Sequence, residues 1–239
     1  MNDAADEAVD VGTFWCVVPA AGRGARVGGD CPKQYLPLAG RALIVHTLER
    51  LAAHPQIAGL LVTLSATDAR WPKIDVLHGK PIRVAVGGDE RSDSVLAGLQ
   101  ALPGSVGNDA FVLVHDAARP CVRRSDISRL IERVTAVDGG LLGAPLRDTL
   151  KRADASARSV ATESRDARWR AFTPQMFRRG ALTAALQDAA ARGVAVSDEA
   201  MAMELAGFAP LLVEGAEDNI KVTTAADFAL AEFLLARTA

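Results

Sequence analysis

The stretch Pro19-Ala20-Ala21-Gly22-Arg23-Gly24-Ala25-Arg26-Val27, continuing to Cys31-Pro32-Lys33-Gln34, follows directly on the apolar run Phe14-Trp15-Cys16-Val17-Val18. Small residues after a buried strand let backbone N–H groups approach an anion closely, and the carboxyl edge of an open α/β sheet is where such ligands bind. Phosphate is the ligand this chemistry suits. Two common phosphate loops do not match. A dinucleotide fingerprint needs a third glycine where Val27 stands, and a P-loop needs Gly-Lys-Ser/Thr, whereas Lys33 follows Pro32. Arg26 and Lys33 add two cations beside the loop, which suits phosphates that gain or redistribute negative charge in a transition state. A surface turn with exposed basic residues is the competing reading.

The elements that must position this loop follow a regular pattern. Short β-rich apolar runs alternate with helical periodicity, which predicts a mostly parallel sheet covered by helices on both faces. Strand-like runs fall at Phe14 to Val18, Leu60-Leu61-Val62-Thr63-Leu64, Ile82-Arg83-Val84-Ala85-Val86 and Ala110-Phe111-Val112-Leu113-Val114. Residues 139–145 and 210–213 add two more. Helical patterns cover 43–54, 92–102 with Ser92 as N-cap, 125–137, 175–192 and 197–207. The last, at 224–237, opens on Thr224-x-x-Asp227, a variant of the capping box, and is expected to bury Phe228, Leu230, Phe233 and Leu234. Between 146 and 171 the chain is polar, Arg-rich and only weakly periodic. That is too long for an ordinary connection and reads as a functional or partner-binding arm.

Composition narrows the classes. Of 239 residues, 49% are hydrophobic, and 27 basic residues against 29 acidic ones leave a charge of -2, the profile of a soluble globular protein. This leaves no general electrostatic footprint for nucleic acid or a membrane surface, while permitting a local basic pocket. Cys16, Cys31 and Cys121 have no CxxC or Cys/His spacing, so neither a disulfide framework nor a structural zinc site is indicated, and the cytoplasm is the expected compartment. Residues 1–12 are polar and acidic, without the features of a signal peptide or anchor, and read as a disordered tail; 13–239 read as one domain. No stretch reaches about 18 uninterrupted apolar residues.

The segment 19–33, the run Gly87-Gly88-Asp89-Glu90-Arg91-Ser92-Asp93-Ser94, the run Val114-His115-Asp116-Ala117-Ala118-Arg119-Pro120, and Asp218-Asn219-Ile220-Lys221-Val222-Thr223 together resemble the 2-C-methyl-D-erythritol 4-phosphate cytidylyltransferase family. Arg23 and Ala25 fill positions that the family leaves variable. The resemblance implies a Rossmann-like sheet of the sugar-nucleotidyltransferase type with a protruding dimerisation arm. It also implies that CTP is held by Ala20, Ala21 and Gly22 through backbone groups, by Gly88, Asp89 and Ser94 at the base and ribose, and by Ala117 near the ribose. Gly87-Gly88 would let a flat base lie against the backbone. Arg26 and Lys33 match the pair that stabilises the transition state. Asp116 matches the residue bonding the acceptor's hydroxyls, and Arg119 frames the site. Thr149 and Arg165 in the arm, with Lys221, match the groups that reach the acceptor phosphate, the arm residues from a neighbouring subunit. His115 is expected to be a satisfied structural histidine.

The implied reaction is in-line attack of the acceptor phosphate on the α-phosphorus of CTP. A phosphate monoester has a second pKa of about 6 and needs no side chain to deprotonate it, which fits a chain with four histidines and no recognisable nucleophile–base pair. Arg26, Lys33, Arg165 and Lys221 would align two repelling anions and stabilise developing charge. A divalent ion, Mg²⁺ above all, is expected on the triphosphate; its protein ligands stay unassigned. The expected partners are CTP and a polyol phosphate, with neither nucleic acid nor membrane, in a homodimer with arm exchange. A ribitol 5-phosphate cytidylyltransferase is the nearest rival, a non-catalytic nucleotide-binding protein on this fold the next, and a dehydrogenase is disfavoured by Val27.

Overall fold

The computed structural model describes residues 12–22 and 31–237. Arg26 lies outside the described residues, as does the expected tail apart from Gly12. In chain order the first elements are β1 (Phe14–Pro19), a 3-10 turn at Lys33–Tyr35, β2 (Pro37–Leu38), β3 (Arg41–Ala42), α1 (Leu43–Ala52), β4 (Ile57–Leu64), β5 (Val76–Leu77), β6 (Lys80–Val86) and α2 (Arg91–Gln100). Then come β7 (Phe111–Val114), α3 (Arg124–Val134), β8 (Gly139–Pro145), β9 (Leu150–Ala153), β10 (Ser159–Glu163), β11 (Trp169–Arg178), α4 (Arg179–Ala191), α5 (Glu199–Leu205), β12 (Leu211–Glu214) and α6 (Ala225–Arg237).

Eight strands form one sheet in the order β12-β8-β11-β7-β1-β4-β6-β5. The centre is parallel: Val17 of β1 stands between Leu61 of β4 and Val114 of β7. Strand alternation divides the core into two layers. Cys16, Val18, Leu60 and Val62 face α1 and α3, while Val17, Leu61, Val112 and Val114 face α2, α4 and α5. Because β1, β4 and β7 are covered on both faces, their sequences are nearly continuous apolar runs. α2 approaches β1 so closely that a Cβ on Gly98 would lie 2.5 Å from Val17 Cγ1, which sets the helix whose first turn borders the cleft described below.

Three expectations are corrected. Residues 175–178 are not helical: they end β11, which runs antiparallel between β7 and β8, and α4 begins only at Arg179. Pro174 sits where the register with β8 shifts between Ala171 and Gln175, so no ladder bond is lost to it. The N-cap of α2 is Glu90, not Ser92, in a capping box closed by Asp93. α6 buries Ala231 and Leu235 against Leu38, Leu43, Cys121 and Val222, with Phe228 and Leu234 at the margin, while Leu230 and Phe233 are 47% and 57% exposed. The arm is a hairpin of β9 and β10 whose base is closed by a bond from Leu146 N to the Arg168 carbonyl, 2.8 Å, and the chain rejoins the main sheet at Trp169.

The turn after β7 is tied from every side. His115 N–H donates to the Val17 carbonyl, Thr47 Oγ1 to that of Ala117 (2.8 Å), and Val222 N–H to that of Ala118. Thr173 Oγ1, from β11, accepts from Asp116 N–H at 3.0 Å and bonds His115 Nδ1 at 3.1 Å, while His115 Nε2 bonds the Arg119 carbonyl. His115 is fully buried, and burial pushes its pKa down to about 4, against the opposing pull of the Arg119 carbonyl and Asp116. In the unfolded chain the same imidazole titrates near 6.5, so its contribution to stability is complete above that pH and is lost as pH falls toward 4. Urea unfolding at pH 7 and pH 5 should therefore show the native protein losing about 2 kcal/mol more over that interval than a His115→Gln variant.

Candidate active site

The loop after β1, the turn after β6 and the turn after β7 all leave the carboxyl ends of parallel strands, so they open on one edge of the sheet. A cleft lies between them. Ala20, Ala21, Gly22 and Lys33 line one side, Asp89 and Ser94 another, and Asp116, Ala117 and Lys221 the floor and far wall. Nine residues singled out from the sequence thus meet in one place. Gly88 stands just behind: its carbonyl accepts from Ser94 Oγ at 3.2 Å. The neighbouring Gly87 is required by close packing, since a Cβ there would lie 2.7 Å from Ser94 Oγ and 2.8 Å from Ala21 Cβ.

Asp116 is the electrostatic centre. Its Oδ1 accepts from Arg91 Nε at 2.9 Å, and its Oδ2 from Lys221 Nζ at 2.9 Å and Arg119 Nε at 3.4 Å. Burial alone would push this carboxyl's pKa up; the charges of Arg91, Lys221 and Arg119 outweigh it and hold the group well below the ordinary carboxylate range. Arg91 is in turn gripped by Glu199, which accepts at 2.6 and 3.1 Å in a bidentate pair and has a side chain only 1% exposed. Arg119 also donates to the Asn219 carbonyl at 2.7 Å and lies over the Phe172 ring. Asn219 Nδ2 closes the network on the Thr173 carbonyl.

Lys33 Nζ donates to the Val222 carbonyl at 3.0 Å, which brings it beside the segment that carries Lys221. Thr149 and Arg165 do not reach the cleft of their own chain. Both are exposed on the arm, and Arg165 donates to the Arg147 carbonyl. Arg119 lies at one edge of the cleft, in a side pocket shared with Arg91, Asp116 and Lys221.

Sequence reasoning left Arg91, Glu199, Gln34 and Thr173 without roles. Arg91 lay inside a quoted motif, but its partner Glu199 is 108 residues away on α5, and no local pattern announces that pairing. Among the described residues no group of three or more His, Cys, Asp or Glu side chains could hold a metal, and Asp116 is already matched by three cations. The donor set among the described residues suits an ion carried in on polyphosphate oxygens and water. None of the described helices is long and apolar enough to cross a membrane.

Comparison with known proteins identifies the family. The family model described as 2-C-methyl-D-erythritol 4-phosphate cytidylyltransferase matches residues 14–237. The enzyme of that name from Stenotrophomonas maltophilia strain K279a is 56% identical over 228 residues, covering 95% of this chain and 98% of the relative, and that of Xanthomonas campestris pv. campestris strain 8004 is 56% identical over 227. Among solved structures, the Francisella tularensis enzyme superposes with a TM-score of 0.80 at 32% identity, over 93% of this chain and 99% of that one. The Thermus thermophilus enzyme gives 0.75 at 32%, over 94% and 99%. On sequence and fold together, the chain belongs to the 2-C-methyl-D-erythritol 4-phosphate cytidylyltransferase family.

Proposed function

We propose that this cleft carries out the family's reaction: the cytidylyl group of CTP passes to 2-C-methyl-D-erythritol 4-phosphate, giving the cytidine diphosphate conjugate and pyrophosphate, a step in making isoprenoid precursors. The observation that supports it best is the Asp116 cluster, where a carboxylate able to accept from polyol hydroxyls is held beside Lys221, a cation suited to the acceptor phosphate, in the cleft that also contains the glycine loop. The methylerythritol name borne by these relatives disfavours ribitol phosphate as acceptor.

In this reading the backbone at Ala21 and Gly22, with Lys33 and Arg26, takes the triphosphate; the Ala20 N–H is committed to the Thr63 carbonyl. Gly88, Asp89 and Ser94 take the base and ribose, with Ala117 beside the sugar. The acceptor phosphate, dianionic above its second pKa of about 6, attacks the α-phosphorus in line, so the protein supplies alignment and charge stabilisation and no general base. Mg²⁺, when bound to the triphosphate, would neutralise charge on its oxygens. Thr149 and Arg165, which do not reach their own cleft, act on the cleft of a second subunit in a cytoplasmic homodimer with exchanged arms.

Pyrophosphate release should be seen with CTP and methylerythritol phosphate, and not when UTP or ATP replaces CTP or ribitol phosphate replaces the acceptor; equal rates with ribitol phosphate would overturn the acceptor assignment. Lys33→Ala should lower kcat tenfold or more while CTP still binds, the scale of losing one transition-state donor. Arg165→Ala should chiefly raise KM for the acceptor. Mixed dimers that pair it with a chain whose own cleft is disabled by Lys33→Ala should recover activity only if the arm works across the subunit boundary.

A further inference from the structure

We propose that Gln34 is a positioning residue for the triphosphate loop: its side-chain amide ties down two loop carbonyls, so that the loop offers N–H groups and not carbonyl oxygens to a polyanion. This rests on the reading of residues 20–22 as the phosphate-binding backbone. Gln34 is 5% exposed, and its Nε2 donates to the Ala20 carbonyl at 2.7 Å and to the Gly22 carbonyl at 3.2 Å. Only the nitrogen end of the amide can face two carbonyl oxygens; the reverse orientation would set three acceptors against one another. A carbonyl so engaged is not free to turn its negative end toward phosphate. In a planar trans peptide the C=O and the following N–H point in opposite directions, so fixing the Ala20 carbonyl on Gln34 directs the Ala21 N–H to the other side. The preceding peptide is fixed as well, by Ala20 N–H on the Thr63 carbonyl at 2.9 Å.

The segment that presents Gln34 is itself clamped. Tyr35 donates through its hydroxyl to Asp68 Oδ2 at 2.7 Å, and Lys33 through Nζ to the Val222 carbonyl at 3.0 Å. One turn of 3-10 helix, Lys33–Tyr35, thus sets both the cation beside the phosphates and the amide that shapes the backbone around them.

The test is Gln34→Met, which keeps the length and loses the donor, and Gln34→Glu, which replaces the donor with an acceptor charge. Binding of CTP and of cytidine, which has no phosphate, would be measured by ligand-observed NMR alongside steady-state KM values. Losing a buried donor to two carbonyls should weaken CTP about tenfold or more, with Gln34→Glu worse than Gln34→Met, while cytidine binding and the acceptor KM stay within about twofold. Equal weakening of CTP and cytidine would mark a merely structural role, and unchanged CTP binding would remove any role; either overturns the proposal. Should Lys33→Ala turn over at the native rate, the loop assignment itself fails. A Lys33→Ala defect together with native CTP binding by the Gln34 variants would sink the Gln34 inference alone.

Discussion

A buried carboxylate governs the architecture around this cleft. Asp116 has a side chain only 8% exposed, and a charge at that depth is tolerated only when cations and hydrogen bonds replace the water it has lost. Its three partners come from different elements: Arg91 from the first turn of α2, Arg119 from the turn after β7, and Lys221 from the segment between β12 and α6. Neither arginine can shift alone without stranding charge. The requirement therefore propagates outward, through Glu199 to α5 and through Asn219 and Thr173 to β11. Breaking such a cluster by deleting one partner is far more damaging than never having built it, since the remaining charges stay buried.

The division of labour between arginine and lysine in the cluster follows from their chemistry. Arg91 and Arg119 use several N–H groups at once, Arg91 across two carboxylates and Arg119 across one carboxylate, a carbonyl and an aromatic face. A planar fork fixed at that many points is a staple. Lys221 meets Asp116 through a single ammonium on a flexible stem, with 38% of its side chain exposed, and can exchange that contact for another anion at small cost. The chain has only five lysines, and two of them, Lys33 and Lys221, border this cleft while the arginines hold its frame.

How far the sequence disclosed this depends on whether the signal was local. The continuous apolar runs of β1, β4 and β7 and the turn residues after them are local, so the parallel sheet and its binding edge were legible, as were the four motifs that meet there. β11 was hidden because Trp-Arg-Ala-Phe-Thr-Pro-Gln-Met-Phe-Arg has polar residues and a proline where a central strand should be apolar; they fit only because the register breaks beside Pro174 and Thr173 turns inward to the Asp116 amide. The buried face of α6 was hidden for another reason. That helix is apolar on most sides, and its orientation is chosen by Leu38, Leu43 and Val222, residues from distant segments. The Arg91–Glu199 pair could not be read for the same reason: each residue taken alone looks like an ordinary charge beside a helix start.

The same electrostatics fix how the cleft behaves with pH. His115 is pushed down to about 4, and Asp116 is held ionised by three cations, so neither group of the turn after β7 changes charge near neutrality. A phosphate monoester, in contrast, gains its second negative charge around pH 6. Of these three groups, the one that titrates in the working range is the phosphate. An enzyme that relied on a histidine base would need that base poised near neutrality and open to the cleft. Here the one histidine that touches the site is fully buried, with both ring nitrogens committed to Thr173 and Arg119. Its burial removes a competing proton acceptor and fixes the turn that carries Asp116, which is the arrangement expected when the nucleophile arrives already charged and the protein has only to hold two anions in line.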